Sequence, residues 1–493
     1  MRTLDVLQTR LGDVWSMNRP GCTRAHVVVA MPSFSLAPSI LAHYGRRLEA
    51  LEHRYLVTML MLARIPGCEL VFVCSTHPGE EVVDYYTSLV PEELRASVRS
   101  RLHIVTAPAS EPGPVAAALV DHPEALDRIE DLIAGRPAMI EPWNVTAAEV
   151  AVAERLGVPI NGTAPDLWPM GFKSAGRRVF AEAGVPTPLG QEDVHDLSEI
   201  THAAARISRT HPHAQNVVVK HDNSGAGDGN LVIGLRDAHG NPVPRAALRR
   251  RIDKAMPEWY RRDLRSGGVV EEMVAGSSFA SPSAQVDIAP DGSVTVLSTH
   301  EQVLGGDSGQ VYAGCVFPAN RAYTGELAGY AEAVGERLAE SGARGRLSVD
   351  FVAVRRKRWD VFGIEVNLRK GGTTHPYTVL RHLAPGRFET RSGDWVTDRD
   401  GTTRCYTSTD TLMDPAWTTL QPATVIRAVE SAGLSFDRDA GTGVVLHMLS
   451  GLAIDGRCGL TAIARSDGEG RDMAAAAEAA VAAAAAGAVG GPA

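Results

Sequence analysis

None of the six cysteines (Cys22, Cys68, Cys74, Cys315, Cys405 and Cys458) stands in a CxxC pair. That excludes a zinc ribbon and gives no disulfide framework, so buried thiols in a reducing compartment are expected. No run of about 18 uninterrupted apolar residues reads as a membrane span. The nearest is the Ala-rich stretch 473–493. Alanine is weakly hydrophobic, and this stretch reads as a flexible tail. The first twenty residues carry charges where an export signal needs an apolar segment, so a cytoplasmic location is expected. Basic charge is not in excess: Lys+Arg number 49 against 58 Asp+Glu, a formal charge of -9. A general grip on nucleic acid is therefore not expected. No GxGxxG follows the first apolar run, which argues against a dinucleotide site and a nicotinamide oxidoreductase. There is no internal repeat.

A chain of 493 residues suggests two or three folding units, and 44% apolar with 22% charged residues is ordinary globular composition. The first third alternates short β-rich runs with helix-length pieces. Val27–Met31, Glu69–Cys74, Leu102–Val105 and Ala138–Ile140 are the strand candidates, with Val158–Gly162 a last short one. The pattern predicts a parallel, doubly wound sheet. A helix is expected after Asp166, carrying Lys173, Arg177 and Arg178 and ending near Gly184. Val185-Pro186-Thr187-Pro188 then reads as an extended connector. A small α/β unit follows, then a sheet-rich unit and a C-terminal α+β unit.

Three segments carry candidate chemistry. In the first, the apolar run Val217-Val218-Val219 ends in Lys220, and Gly225, Gly227 and Gly229 follow at every second position. Glycines let backbone N–H groups approach a polyanion, and lysine supplies a point charge for phosphate. An ordinary hairpin turn is the plainer alternative. In the second, Gly268-Val269-Val270 leads into Glu271-Glu272-Met273-Val274. Such a strand end can present a donor and an acceptor to an adenine edge, with Met273 and Val274 against the ring. Its plainer alternative is two solvated acids. The third is the most informative. Leu347–Val354 holds Asp350; Val361–Arg369 holds Glu365, Asn367 and Arg369 at strict alternation; charged residues between them read as a hairpin turn. Alternation puts Glu365, Asn367 and Arg369 on one face, with Asp350 able to face them. Two carboxylates and an amide oxygen are hard ligands suited to Mg²⁺. A solvated face with a salt bridge would not account for the amide between acid and arginine. Of the sixteen histidines, His300 and His375 are kept open as candidates for chemistry.

Taken in order, Lys173, Lys220 with its glycines, Glu271-Glu272-Met273-Val274, Asp350 and Glu365-Val366-Asn367 resemble the ATP-grasp superfamily over about residues 160–375. Within it, Glu365–Pro376 and Gly441–Met448 make the chain most similar to the pheganomycin-type peptide ligases, which carry a pre-ATP-grasp N-terminal domain. The resemblance implies an α/β (α+β overall) chain: a pre-ATP-grasp domain at 1–165 and an ATP-grasp domain at 166–375, with its lid at about 190–268 and its metal sheet at about 269–375. A C-terminal unit at 376–472 and the tail complete it. It implies ATP and Mg²⁺ as cofactors, with Mn²⁺ as an alternative. Lys173 and Lys220 would contact phosphates, Gly225, Gly227 and Gly229 would form the lid loop, and Glu271, Glu272 and the backbone near Val274 would read adenine. Asp350, Glu365 and Asn367 would hold the metal, and Arg369 would orient the carboxylate or acyl phosphate, with Lys220 assisting catalysis. Ser277-Ser278-Phe279 stands where many relatives place a ribose-binding acid, so ribose has no assigned residue. The implied activity is ATP-dependent ligation of a small carboxylate to an amine or peptide, in natural-product biosynthesis, with neither nucleic acid nor membrane as partner and a homodimer held open. A carboxylase or phosphotransferase on the same fold, and a nucleotide-binding regulator without turnover, are the alternatives.

Overall fold

The computed structural model describes residues 3–36, 41, 44–108, 113–223, 230–305 and 311–489. Strands β1 (His26–Met31), β2 (Cys68–Cys74), β3 (Leu102–Thr106) and β4 (Ala138–Pro142) form a parallel sheet in the order β3-β2-β1-β4. Their uninterrupted apolar runs follow from burial on both faces. Val27, Val29, Val71 and Val73 enter one core with the helices Val115–Asp121, Pro123–Ile133 and Ala147–Leu156. Val28, Ala30, Leu70 and Phe72 enter another with the 3₁₀ segment Tyr55–Ala63. The doubly wound expectation holds. The short run at 158–162 contributes only a parallel bridge, Ile160 to Ile140.

A second sheet, in the order β5-β8-β6-β7, comprises β5 (Gly190–Gln191), β6 (Asn216–His221), β7 (Leu231–Gly234) and β8 (Gly268–Glu272). The helices Leu197–Thr210 and Arg245–Ala255 pack on it around Ile200, Val217, Val219 and Ile252. This sheet runs on to Glu272 because β6 pairs with β8, so the boundary expected near 268 falls inside a strand pair.

The third sheet begins with β9 (Ser278–Ala280), β10 (Pro282–Ile288), β11 (Val294–Gly305), β12 (Val311–Phe317), β13 (Gly345–Arg355) and β14 (Trp359–Asn367). β15 (Gly386–Glu389), β16 (Asp394–Thr397), β17 (Thr403–Met413), β18 (Gly443–His447) and β19 (Arg457–Ala464) continue it. Its main path is β14-β13-β10-β11-β12-β17-β16-β15, and β19 joins through β17. The strands after residue 375 are thus hydrogen-bonded to those before it, through the β12–β17 pair, rather than forming a sheet of their own. The helix Thr324–Glu340 covers one face around Leu327, Ala331 and Leu338. The Ala-rich tail also departs from expectation. Asp467–Val489 is one helix, and Ala477, Val481 and Ala485 are buried in the first core. Small side chains let it pack closely, so it is a structural element and not a loose end.

Candidate active site

Asp350 on β13 sits directly opposite Glu365 on β14, and Ser348 opposite Asn367, so the expected face exists. The register shifts between Asp350 and Phe351, a bulge beside the two carboxylates. Asp350 accepts from Gln302 Nε2 and from Asn367 Nδ2, each at 2.9 Å. Burial, then the Glu365 charge, push the Asp350 carboxyl up to about 7. Glu365 behaves oppositely. Burial acts to raise it, but the Lys173 ammonium, with help from Arg369 and Lys220, holds it below the usual carboxylate range. Lys173 Nζ lies 2.8 Å from Glu365 Oε1.

Lys173 opens the helix Lys173–Glu182, and the loop after β6 fixes that helix end. Lys173 N donates to Asp222 O (3.0 Å), while Ser174 N and Oγ donate to Asp222 Oδ1 (2.9 and 2.7 Å). One turn on, Arg177 gives Nη1 to Glu271 Oε1 at 2.7 Å and Nε to Glu192 at 2.5 Å. Lys220, near the end of β6, meets the other Glu271 oxygen at 2.6 Å. Glu271 is 3% exposed, which rules out the solvated-acid alternative for it. Its carboxylate is paired with both Lys220 and Arg177. The reason is the β6–β8 pairing, which sets Glu271 against the Lys220 side of β6. Glu272 is half-buried and donates its N–H to Leu189 O at 2.7 Å. Met273 is exposed and Val274 buried at this strand end. Gly225, Gly227 and Gly229 lie outside the described residues.

Arg369 falls beyond the end of β14. A turn returns its N–H to Asn367 O at 2.7 Å, and its guanidinium lies over the Trp143 ring, 4.7 Å from the centroid. The alternation that placed it with Glu365 and Asn367 stops at Asn367, yet its charge still bears on both Asp350 and Glu365. His300 and His375 are fully buried. His300 Nε2 meets the Tyr406 hydroxyl, and burial lowers its pKa to about 3. His375 Nδ1 meets Arg54 O at 2.9 Å, and burial holds it well below its usual value. Burial thus favours the neutral ring in both.

Sequence reasoning assigned no site role to Gln302, Arg177, Asp222, Trp143, Lys370 or Glu141. Arg177 carried a usable signal, lying four residues after Lys173 on one helix face. Gln302, Trp143 and Glu141 meet the site only through long-range pairing. Among the described residues no group of three His, Cys, Asp or Glu side chains converges on one point. Two carboxylates with an amide oxygen still fit Mg²⁺, which takes few protein ligands and fills its shell with phosphate oxygens and water. The adjacent, mutually repelling pair Asp350 and Glu365 is the observation that a divalent cation would answer.

A family model described as "IQCH-like, ATP-grasp" matches residues 253–390, and one described as "PGM1 C-terminal domain" matches 424–477. L-propargylglycine–L-glutamate ligase of Streptantibioticus cattleyicolor is 32% identical over 414 residues, 82% of this chain and 83% of that protein. IQ motif-containing protein H of Danio rerio is 23% identical over 383 residues, 66% of this chain and 36% of that one. Among solved structures, biotin carboxylase from Campylobacter jejuni in its β-γ-ATP complex shares the fold with TM-score 0.54 at 13% identity, covering 90% of this chain and 88% of that one. The ADP complex of N5-carboxyaminoimidazole ribonucleotide synthetase gives 0.51 at 12%, covering 92% and 96%. The identity and coverage shared with the Streptantibioticus enzyme, joined to a two-stranded carboxylate face met by Lys173, make this chain an ATP-grasp ligase, a member of the ATP-dependent carboxylate–amine ligases.

Proposed function

We propose that the chain activates an amino-acid carboxylate as an acyl phosphate and joins it to an amino-acid or peptide amine, releasing ADP and phosphate. The observation that carries this is convergence. Lys173 from a helix end, Lys220 from a strand end and the Asp350–Glu365 pair from a hairpin act on one another electrostatically although they are up to 192 residues apart. Lys173 and Lys220 now rest on Glu365 and Glu271 and would exchange these partners for phosphate oxygens when ATP enters. Asp350, Glu365 and Asn367 would hold Mg²⁺, with Mn²⁺ as a substitute; the cation supplies charge neutralisation at the β- and γ-phosphates. Glu272 and the backbone through Val274 would line the adenine. The loop bearing Gly225, Gly227 and Gly229 would close over the phosphates and keep water from the acyl phosphate. The substrate carboxylate attacks the γ-phosphorus in line and ADP leaves; Arg369 stabilises charge on the transferring group; the amine then attacks the acyl carbon and phosphate leaves. We take residues 1–165 as the unit that completes the carboxylate pocket, with 376–472 walling the far side.

The substrate classes come from the Streptantibioticus relative, named for L-propargylglycine and L-glutamate, and that pair heads the screen. ADP release is measured over a carboxylate set and an amine set, with mass analysis of the product. With ¹⁸O in the carboxylate, one labelled oxygen should reach inorganic phosphate. Label in AMP, or ADP release driven by bicarbonate with no amide formed, overturns the proposal.

A further inference from the structure

Arg369 stands past the last ladder bond of its strand, where a long side chain has no regular neighbour to hold it. The first sheet supplies the hold. Three consecutive residues at the carboxyl end of β4 meet two consecutive residues after β14. Trp143 O accepts from Lys370 N at 3.0 Å. Glu141 Oε1 and Pro142 O take Lys370 Nζ at 2.5 and 2.6 Å. Asn161 Nδ2 braces the other Glu141 oxygen at 2.7 Å. The indole of Trp143 then lies under the Arg369 guanidinium, whose Nη1 donates to Lys370 O at 3.0 Å. Trp143 is itself backed by Phe34, with ring centroids 4.6 Å apart, in the loop after β1.

An apolar seam would join the two units with less desolvation than a buried Lys370–Glu141 pair. What the ion pair and its carbonyl partners add is direction: they leave the Arg369–Lys370 backbone one position relative to the indole. The π face then offers the guanidinium one preferred plane. We infer that Trp143, with Glu141 acting through Lys370, is a positioning residue for Arg369, so that the N-terminal unit aligns the group that meets the transferring phosphoryl. This rests on the role proposed above for Arg369, and its test separates the two.

Affinity for MgADP is measured alone and with fluoroaluminate, a mimic of the transferring phosphoryl group. The quantity of interest is the tightening that fluoroaluminate adds, and MgADP binding alone reports an intact fold. Arg369→Ala should lose the tightening. Trp143→Leu, which keeps apolar bulk without a ring face, should reduce it about tenfold, while Trp143→Phe should stay within about threefold of the unaltered protein. Glu141→Gln should also reduce it, and Trp143→Leu in the Arg369→Ala background should cost nothing further. Full tightening in both Trp143→Leu and Glu141→Gln, or additive losses in the double variant, overturns the positioning role. If Trp143→Leu no longer binds MgADP, Glu141→Gln and Trp143→Phe decide by the same readout. Tightening retained in Arg369→Ala, or absent from the unaltered protein, overturns instead the reading of Arg369 on which the inference stands.

Discussion

Two carboxyl groups facing each other across one strand pair hold protons differently. Asp350 accepts hydrogen bonds from two amides among the described residues and is pushed up to about 7, whereas Glu365 has Lys173 and stays depressed. Glu365 is therefore the permanently charged member, and its amide variant is the informative one. If the proposed role holds, Glu365→Gln should lower turnover about a hundred- to a thousandfold by removing a metal-binding charge. It should also lower unfolding free energy by about 1–3 kcal/mol in urea titration, because Lys173 loses its carboxylate partner. Near-normal turnover would count against the site. The buried histidines make a separate prediction. His300 titrates near 3 in the native state against 6.5 for the ordinary side chain. The unfolded chain thus binds the extra proton between those values. Stability from the neutral ring is complete above 6.5 and drains as pH falls toward 3. His300→Gln should flatten the loss of stability between pH 6 and 4 by on the order of 1 kcal/mol per pH unit relative to the unaltered chain. Parallel curves would show that His300 is not the neutral core residue described.

At the scale of elements, the helix Lys173–Glu182 presents Lys173 to Glu365 only because it lies close on β14. Gly363 permits that approach: a Cβ there would meet the Phe180 ring at 2.8 Å. Phe180 is fully buried and cannot swing away. Gly363→Ala should therefore destabilise the protein by about 1–3 kcal/mol through overpacking. It should also depress turnover by moving Lys173 off the carboxylate face. Unchanged stability and rate together would refute this account. The hairpin itself was legible, since β13 ends at Arg355 and β14 begins at Trp359, as the charged turn predicts. Its bulge was not, because nothing local distinguishes a two-to-one pairing from regular register. The pairing of Glu271 with Lys220 was not legible for the same reason: which side of β8 meets Lys220 is decided by pairing with β6.

Across the whole molecule, the largest sheet gathers strands from Ser278 to Ala464, and the C-terminal helix seals part of it. That helix packs on the helix Pro422–Ser431 and on β17 and β19. Removing residues 473–493 should lower the thermal midpoint by at least a few degrees and expose apolar surface that binds a hydrophobic dye. A flexible tail would give neither change. No helix among the described residues is long and apolar enough to cross a membrane.

The sequence by itself determined what short-range chemistry can carry. Apolar runs called the parallel sheet, strict alternation called the Asp350, Glu365 and Asn367 face, and the ordered motifs called an ATP-grasp ligase. Only the tertiary structure decided which charges pair across 192, 51 and 229 residues, namely Lys173 with Glu365, Lys220 with Glu271, and Lys370 with Glu141. It alone also carried the sheet past residue 375, buried the Ala-rich helix and stacked Arg369 on Trp143. The reason is physical: a side-chain period is written in neighbouring residues, whereas an ion pair or stacking contact between distant segments depends on the backbone paths that bring them together.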